Sequence, residues 1–189
     1  MIQIDIEPIW RDEVQQQIFR HLLSSNSLPG SIAALGSYIG QDSALMGVLA
    51  TILDNTTLLY DRDRLLTDRN WRRLDVREVP LAEANFIVAE AVIAPAADFI
   101  PNLGTLSSPE LGATLILLVE KLGAGSLMLE LTGPGIDSQR TVALVGCDRH
   151  WFDLRAEWVA NFPMGVDLIL VDETQVMLLP RTTQIAIVS

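Results

Sequence analysis

A loop of two glycines around a proline is the first place where this sequence could do chemistry. The loop is Thr132-Gly133-Pro134-Gly135-Ile136, and it follows an apolar run. The backbone N–H groups of so tight a loop can surround an anion. It has neither the spacing nor the lysine of a P-loop, and no helical pattern follows at once as a dinucleotide fold requires. Gly133 and Gly135 therefore either contact an anion or are turn residues that need positive φ.

Two arginines could complete such an anion site. Arg181 comes directly after Pro180, where its guanidinium fork could bind a phosphate or phosphonate, and Arg20 lies beside Phe19 in a helical stretch. Each could equally bond a backbone carbonyl or an acidic side chain. We favour that structural role, because the chain shows no second basic group that must converge on them. The candidate anion site consists of Gly133, Gly135, Arg181 and Arg20.

The residue types of common catalytic and metal sites are scarce. Cys147 is the one cysteine, so the chain cannot assemble a Cys-based zinc or iron–sulfur site or an intrachain disulfide. His21 and His150 are the two histidines and lack the spacing of a metal motif. Lys121, the one lysine, ends an apolar run, a poor place for the Schiff base of a pyridoxal phosphate enzyme. We predict no catalytic residue, no metal and no cofactor.

Composition narrows the class of partner. The formal net charge of −11 argues against nucleic acid, which is bound by clustered Lys and Arg. The arginines of segment 62–77 alternate with acidic residues, which favours a solvated face with salt bridges over a contact surface for an acidic partner.

Apolar residues make up 49 % and mean hydropathy is +0.31, yet no apolar run reaches the roughly 20 residues of a membrane span. This high apolar content indicates a buried sheet and a subunit interface. We expect the isolated chain to form a homodimer.

Length and the N-terminus set further expectations. The 189 residues favour one domain over 1–189. Residues 1–5 have no basic region of a secretory signal, and a single cysteine suits a reducing compartment, so we expect a cytoplasmic protein.

Hydrophobic periodicity predicts alternating helices and strands. The predicted helices cover residues 9–23, 43–53 (capped by Asp42), 62–71, 149–161 (capped by Asp148) and a short piece around 96–103. The predicted strands cover residues 31–35, 56–60, 74–79, 84–89, 113–122, 127–132, 141–145 and 184–188, together with a hairpin of two apolar strands around Asp172-Glu173-Thr174-Gln175. We also predict a hairpin turn at Gly123-Ala124-Gly125-Ser126. Together these elements indicate an α/β fold with a mixed sheet covered by helices on both faces.

Three stretches resemble the PhnH family of the bacterial carbon–phosphorus lyase system. They are Phe19-Arg20-His21-Leu22-Leu23 with Ser27-Leu28-Pro29-Gly30, Pro109-Glu110-Leu111-Gly112-Ala113-Thr114-Leu115 with Leu131-Thr132-Gly133-Pro134-Gly135-Ile136, and the hairpin from Asn161 to Thr183. The resemblance implies a fold related to the large domain of pyridoxal-phosphate-dependent transferases, without the cofactor or its lysine. It also implies a place beside subunits G, I and J in a complex that converts phosphonates with ATP into ribosyl triphosphate phosphonates, releasing adenine, before the carbon–phosphorus bond is broken.

Two functions follow as hypotheses. The first is a non-catalytic subunit of that complex, which buries apolar surface against sister subunits. The alternative is a small phosphate- or phosphonate-binding transferase with its own anion site around Gly133, Gly135 and Arg181.

Overall fold

The computed structural model describes residues 6–188, so residues 1–5, to which the expectation about a secretory signal refers, lie outside the described part, as does Ser189. The helices are α1 (Asp12–Ser27), α2 (Gly36–Ile39), α3 (Ala44–Ile52), α4 (Asp68–Leu74) and α5 (His150–Trp158). The strands are β1 (Ile32–Ala34), β2 (Leu58–Asp61), β3 (Arg77–Glu78), β4 (Phe86–Glu90), β5 (Thr114–Leu118), β6 (Lys121–Thr132), β7 (Arg140–Val145), β8 (Asp167–Val171), β9 (Gln175–Leu179) and β10 (Gln184–Val188). Three short 3-10 turns complete the order, at Pro8–Trp10, Leu81–Glu83 and Pro109–Leu111. Within residues 6–188, no helix combines the length and apolarity that crossing a membrane requires.

A seven-stranded mixed sheet forms the centre of the fold. Its order is β1-β9-β8-β5-β4-β2-β3. Five neighbouring strands, from β3 to β8, run parallel, while β9 runs antiparallel to both β8 and β1. The α/β class and the mixed sheet predicted from the sequence are therefore confirmed.

Alternate side chains of each central strand enter two separate cores. In β5, Leu115 and Leu117 point into a core shared with α5, whereas Ile116 points into a core shared with α1 and α3. The first core is closed by a second, three-stranded antiparallel sheet of order β10-β6-β7 together with α5. The prediction of helices on both faces is thus incomplete for one face, because the apolar strand β6 pairs with β7 and β10 and this second sheet covers that face together with α5.

The predicted hairpin at Gly123–Ser126 is also wrong. These four residues lie inside β6, where its register against β7 shifts between Leu122 and Leu127. The chain leaves the central sheet between β5 and β6, and the N–H of Leu122 donates to Asp172 Oδ2 at 3.0 Å. The two apolar runs therefore belong to different sheets. The hairpin of β8 and β9 is confirmed, with Leu168 opposite Leu179 and Val171 opposite Val176.

Several helix predictions need correction: the first helix is Asp12–Ser27 rather than 9–23, and a cap, a start and one whole helix also differ. Ser43, not Asp42, caps α3, because its Oγ accepts the N–H of Met46 at 3.2 Å. The helix expected over 62–71 begins at Asp68, since the buried carboxylate of Asp61 takes the N–H groups of residues 65 and 66 and holds that stretch as a loop. Residues 96–103 form no helix, because Pro101 cannot donate a helical hydrogen bond.

Four arginines of segment 62–77 are exposed, whereas Arg62 and Arg73 are partly buried. Arg62 donates to the carbonyls of residues 93 and 94 and lies over the ring of Trp151, 5.4 Å from its centroid. Arg69 and Arg73 both pair with Glu7, and Arg73 stacks on Trp10. These arginines tie the segment to distant parts of the chain.

Candidate functional site

Arg181 joins three parts of the chain at the open end of the β8–β9 hairpin. Its Nη2 lies 2.7 Å from Asp167 Oδ2, and its backbone N–H donates to Asp167 Oδ1 at 2.7 Å. Its Nη1 donates to the carbonyls of Pro109 at 2.7 Å and Pro163 at 3.2 Å. The guanidinium is largely buried and its nitrogens are all engaged within the chain. Arg181 thus bonds backbone carbonyls and an acidic side chain, which is the structural role favoured from the sequence. Anion binding by Arg181 stays a prediction.

The glycine loop lies beside the segment that follows Arg181. Gly133 has φ +129° and Gly135 has φ +83°, so both are turn glycines in a conformation that other residues rarely adopt. A Cβ on Gly133 would lie 2.9 Å from the carbonyl oxygen of Thr182, and one on Gly135 would collide with the carbonyl of Ser27. The structure thus brings Gly133 close to the Arg181 segment. Anion binding by Gly133 and Gly135 stays a prediction.

Arg20 stands apart from this group. It is exposed on α1, and it does not line the pocket that Arg181 borders. The pocket that Arg181 borders is therefore formed without Arg20.

A pocket of about 450 Å³ opens between α5 and the chain that follows β9. Its polar residues include Arg155, Arg181, Thr183 and Gln184, and its apolar residues include Phe152, Val159 and Ile185. Pro134 of the glycine loop also borders it. The pocket therefore collects one arginine that the sequence singled out and one that it did not.

Arg155 is the residue that the sequence reasoning missed. Its side chain is 2 % exposed, its Nη2 donates to the carbonyl of Pro180 at 2.7 Å, and its Nε has no partner. Burial lowers the pKa of its guanidinium to about 10, against a smaller opposing effect of the Asp167 charge, so the group stays charged at neutral pH. The hydroxyl of Thr183, also buried, has no partner either.

A helical spacing in the sequence could have revealed Arg155. The helical spacing of Trp151, Leu154, Trp158 and Phe162 in the sequence predicts one buried stripe on this helix. The helix ends at Trp158, which leaves Phe162 exposed, and the buried residues are Trp151, Phe152, Arg155 and Trp158. Positions 151, 155 and 158 share one helical face, so the signal was an arginine between two tryptophans on that face.

Cys147 is not an activated nucleophile. Burial, with a smaller effect of the Asp148 charge, raises the pKa of its thiol to about 12. His150 does not serve it as a base, because His150 Nδ1 lies 2.7 Å from Asp148 Oδ1. Within residues 6–188, no group of three or more His, Cys, Asp or Glu side chains is placed to hold a metal ion.

Two loops beside Arg181 expose large apolar side chains. We call Ile100, Leu106, Leu111 and Phe162, all at least half exposed, the apolar loop surface. The bonds of Arg181 to the carbonyls of residues 109 and 163 join the two loops, and the N–H of residue 165 donates to the carbonyl of residue 103 at 2.9 Å. These bonds hold the two loops together, so the side chains of Leu111 and Phe162 are presented from ordered backbone.

Comparison with known proteins identifies relatives of this chain. The family model described as "Bacterial phosphonate metabolism protein (PhnH)" matches residues 9–186. A protein of Stutzerimonas stutzeri named "Putative C-P lyase subunit protein HtxG" is 41 % identical over 177 residues, which cover 94 % of this chain and 88 % of that protein. The Rhizobium meliloti (strain 1021) protein "Alpha-D-ribose 1-methylphosphonate 5-triphosphate synthase subunit PhnH" is 39 % identical over 83 residues, 44 % of this chain and 41 % of that protein.

Proposed function

Because this chain belongs to the PhnH family of bacterial phosphonate metabolism proteins, we propose that it is a non-catalytic subunit of the carbon–phosphorus lyase core complex. In this role residues 1–189 act as one cytoplasmic domain beside subunits G, I and J. The complex converts alkylphosphonates with ATP into ribosyl triphosphate phosphonates before the carbon–phosphorus bond is cleaved. We also propose that the fold is related to the large domain of pyridoxal-phosphate-dependent transferases, without their cofactor and its lysine.

The apolar loop surface is the observation that carries this proposal. Leu111 is 50 % exposed and Phe162 is 64 % exposed, although water around such side chains is unfavourable. Arg181 fixes the backbone of both loops, so a partner would meet a surface that is already ordered. The names of the two relatives, both called subunits, support the same role.

The alternative is a phosphate- or phosphonate-binding transferase. The raised pKa of Cys147 keeps that thiol protonated, and the guanidinium of Arg181 is engaged by Asp167 and two carbonyls. These observations favour the subunit over the enzyme. Incubation of the isolated chain with ATP and methylphosphonate separates the two, because the enzyme would release adenine and the subunit would release none.

Assembly is tested by co-purification. Tagged chain is mixed with subunits G, I and J, and the eluate is sized by light scattering. We expect one species that contains all four chains, and a homodimer when the tagged chain is alone. A monomer that captures none of the three subunits would refute the proposal.

A further inference from the structure

We propose that the pocket between α5 and the chain after β9 binds a small organic oxyanion, whose charge meets Arg155 and Thr183 and whose apolar substituent meets Phe152 and Ile185. This ligand site goes beyond the role of an assembly subunit. Arg155 and Thr183 do not belong to the anion site expected from the sequence. Of that expected site, Arg181 lines the same pocket, and Pro134, the neighbour of Gly133, borders it.

The charge of the pocket is the first argument. Two arginines, Arg155 and Arg181, line it, while none of the described residues that line it is acidic. The carboxylate of Asp167 interacts with both arginines. Its two oxygens accept hydrogen bonds from the side chain and the backbone N–H of Arg181. Arg155 forms no ion pair within residues 6–188. One positive charge is therefore left without a counter-charge, in a chain whose net charge is −11.

Hydrogen bonding is the second argument. Arg155 uses Nη2 on the carbonyl of Pro180, whereas Nε has no partner, and within the described residues Nη1 has none either. The buried hydroxyl of Thr183 has none. Leaving such groups unpaired costs stability, so their presence together at one pocket indicates an acceptor that is bound there in use. Oxyanions accept several hydrogen bonds at once and suit a guanidinium.

Shape and polarity define the ligand. A pocket of about 450 Å³ lies within the range of roughly 300–1,000 Å³ that small-molecule sites occupy. Phe152, Val159 and Ile185 give the pocket an apolar wall. The pocket thus fits a phosphonate, phosphate monoester or carboxylate that carries a short apolar group better than it fits a bare inorganic anion.

Binding of three probes tests the proposal. Calorimetric titration of the full chain in a phosphate-free buffer uses phenylphosphonate, benzoate and inorganic phosphate. We expect saturable binding of phenylphosphonate or benzoate at least about tenfold tighter than that of phosphate, as burial of an aromatic ring predicts. The tighter of the two organic probes tells whether phosphorus oxyanions or carboxylates are the source. Absence of saturable binding for all three probes would overturn the proposal.

Three variants locate the site. Arg155→Met removes the unpaired charge, Thr183→Val replaces the hydroxyl by a methyl group of similar size, and Arg149→Met is the matched control because it removes an exposed arginine next to the same helix. We expect the first two to weaken binding at least about tenfold and the control to change it less than about twofold. Thr183→Val should not lower the midpoint of thermal unfolding, since it removes an unpaired buried hydroxyl, whereas Arg155→Met also removes the bond to the carbonyl of Pro180 and is expected to lower it.

The two pocket variants are independent tests. Thr183→Val is nearly isosteric and is expected to fold even if Arg155→Met does not. Full probe affinity in folded Thr183→Val would contradict the proposal, as would full affinity in folded Arg155→Met.

Discussion

Arg181 binds Asp167 through its side chain and its backbone together, with Nη2 and the backbone N–H each 2.7 Å from a different carboxylate oxygen. Asp167 is the first residue of β8, and Arg181 follows β9, so this contact closes the hairpin at its open end. The same guanidinium binds the carbonyls of Pro109 and Pro163, which lie on the loops of the apolar loop surface. One ion pair therefore links the central sheet to the proposed contact surface.

Loss of the Arg181 guanidinium should destabilise the fold. We expect Arg181→Met to lower the free energy of unfolding by about 2–3 kcal/mol, because it leaves Asp167 Oδ2 and two carbonyls without the guanidinium donors, while the backbone N–H still bonds Asp167 Oδ1. Urea unfolding followed by circular dichroism measures this change. The control is Arg149→Met, which breaks an exposed pair with Asp153 and should cost below about 0.5 kcal/mol. Equal losses in both variants would contradict the linking role.

The Cys147 thiol should react slowly in the folded chain. Its pKa is raised from 9.0 to about 12, so at pH 8 the folded protein holds about a thousandfold less thiolate than an exposed thiol would. We expect modification by a disulfide reagent to be at least about a hundredfold slower in buffer than in concentrated urea. Comparable rates in the two solvents would show that Cys147 is accessible and activated.

Asp148 should stabilise the start of α5 in a pH-dependent manner. The N-cap of α5 is Arg149 and not Asp148 as predicted, but Asp148 Oδ1 accepts the N–H of His150 at 2.9 Å, and this bond lowers the pKa of Asp148. A carboxyl whose pKa is lower in the folded than in the unfolded chain adds stability above its unfolded pKa and loses it as pH falls through its folded pKa.

The variant Asp148→Ala tests this pH dependence. We expect it to cost about 1 kcal/mol of unfolding free energy at pH 7, and the difference from the natural chain to shrink below pH 4 as the carboxyl of Asp148 gains its proton. Urea titrations at pH 7 and pH 3 measure both values. A difference that stays constant across this range would contradict the role of the charged carboxylate.

The sequence predicts local pattern well and long-range pairing poorly. The β8–β9 hairpin is found because its turn and both apolar strands lie within a few residues of one another. The run 113–132 is misread because two apolar strands around Gly123 and Gly125 look like a hairpin, whereas pairing with β7 and β10 draws the second strand into another sheet. No local feature of the sequence around Leu122 predicts its hydrogen bond to Asp172, which lies 50 residues further along the chain.

The candidate site shows the same limit. The role of Arg181 could be framed as two alternatives because its type and its place after Pro180 are local features. Arg155 was missed because an arginine in a helix usually faces solvent, and here β10 packs against α5 and the carbonyl of Pro180 receives one of its donors. Its burial depends on the second sheet, which the sequence did not predict.

Capture of subunits G, I and J by two matched leucine variants tests the central claim most directly. Leu111 is 50 % exposed on the apolar loop surface, and Leu23 is 51 % exposed on α1, so Leu111→Ser and Leu23→Ser change the same side chain at the same exposure. Affinity for the three subunits is measured by interferometry with each folded variant. We predict that Leu111→Ser weakens capture at least about tenfold, as at an interface hot spot, while Leu23→Ser keeps the natural affinity. Natural affinity in Leu111→Ser, or equal loss in both variants, would contradict the account.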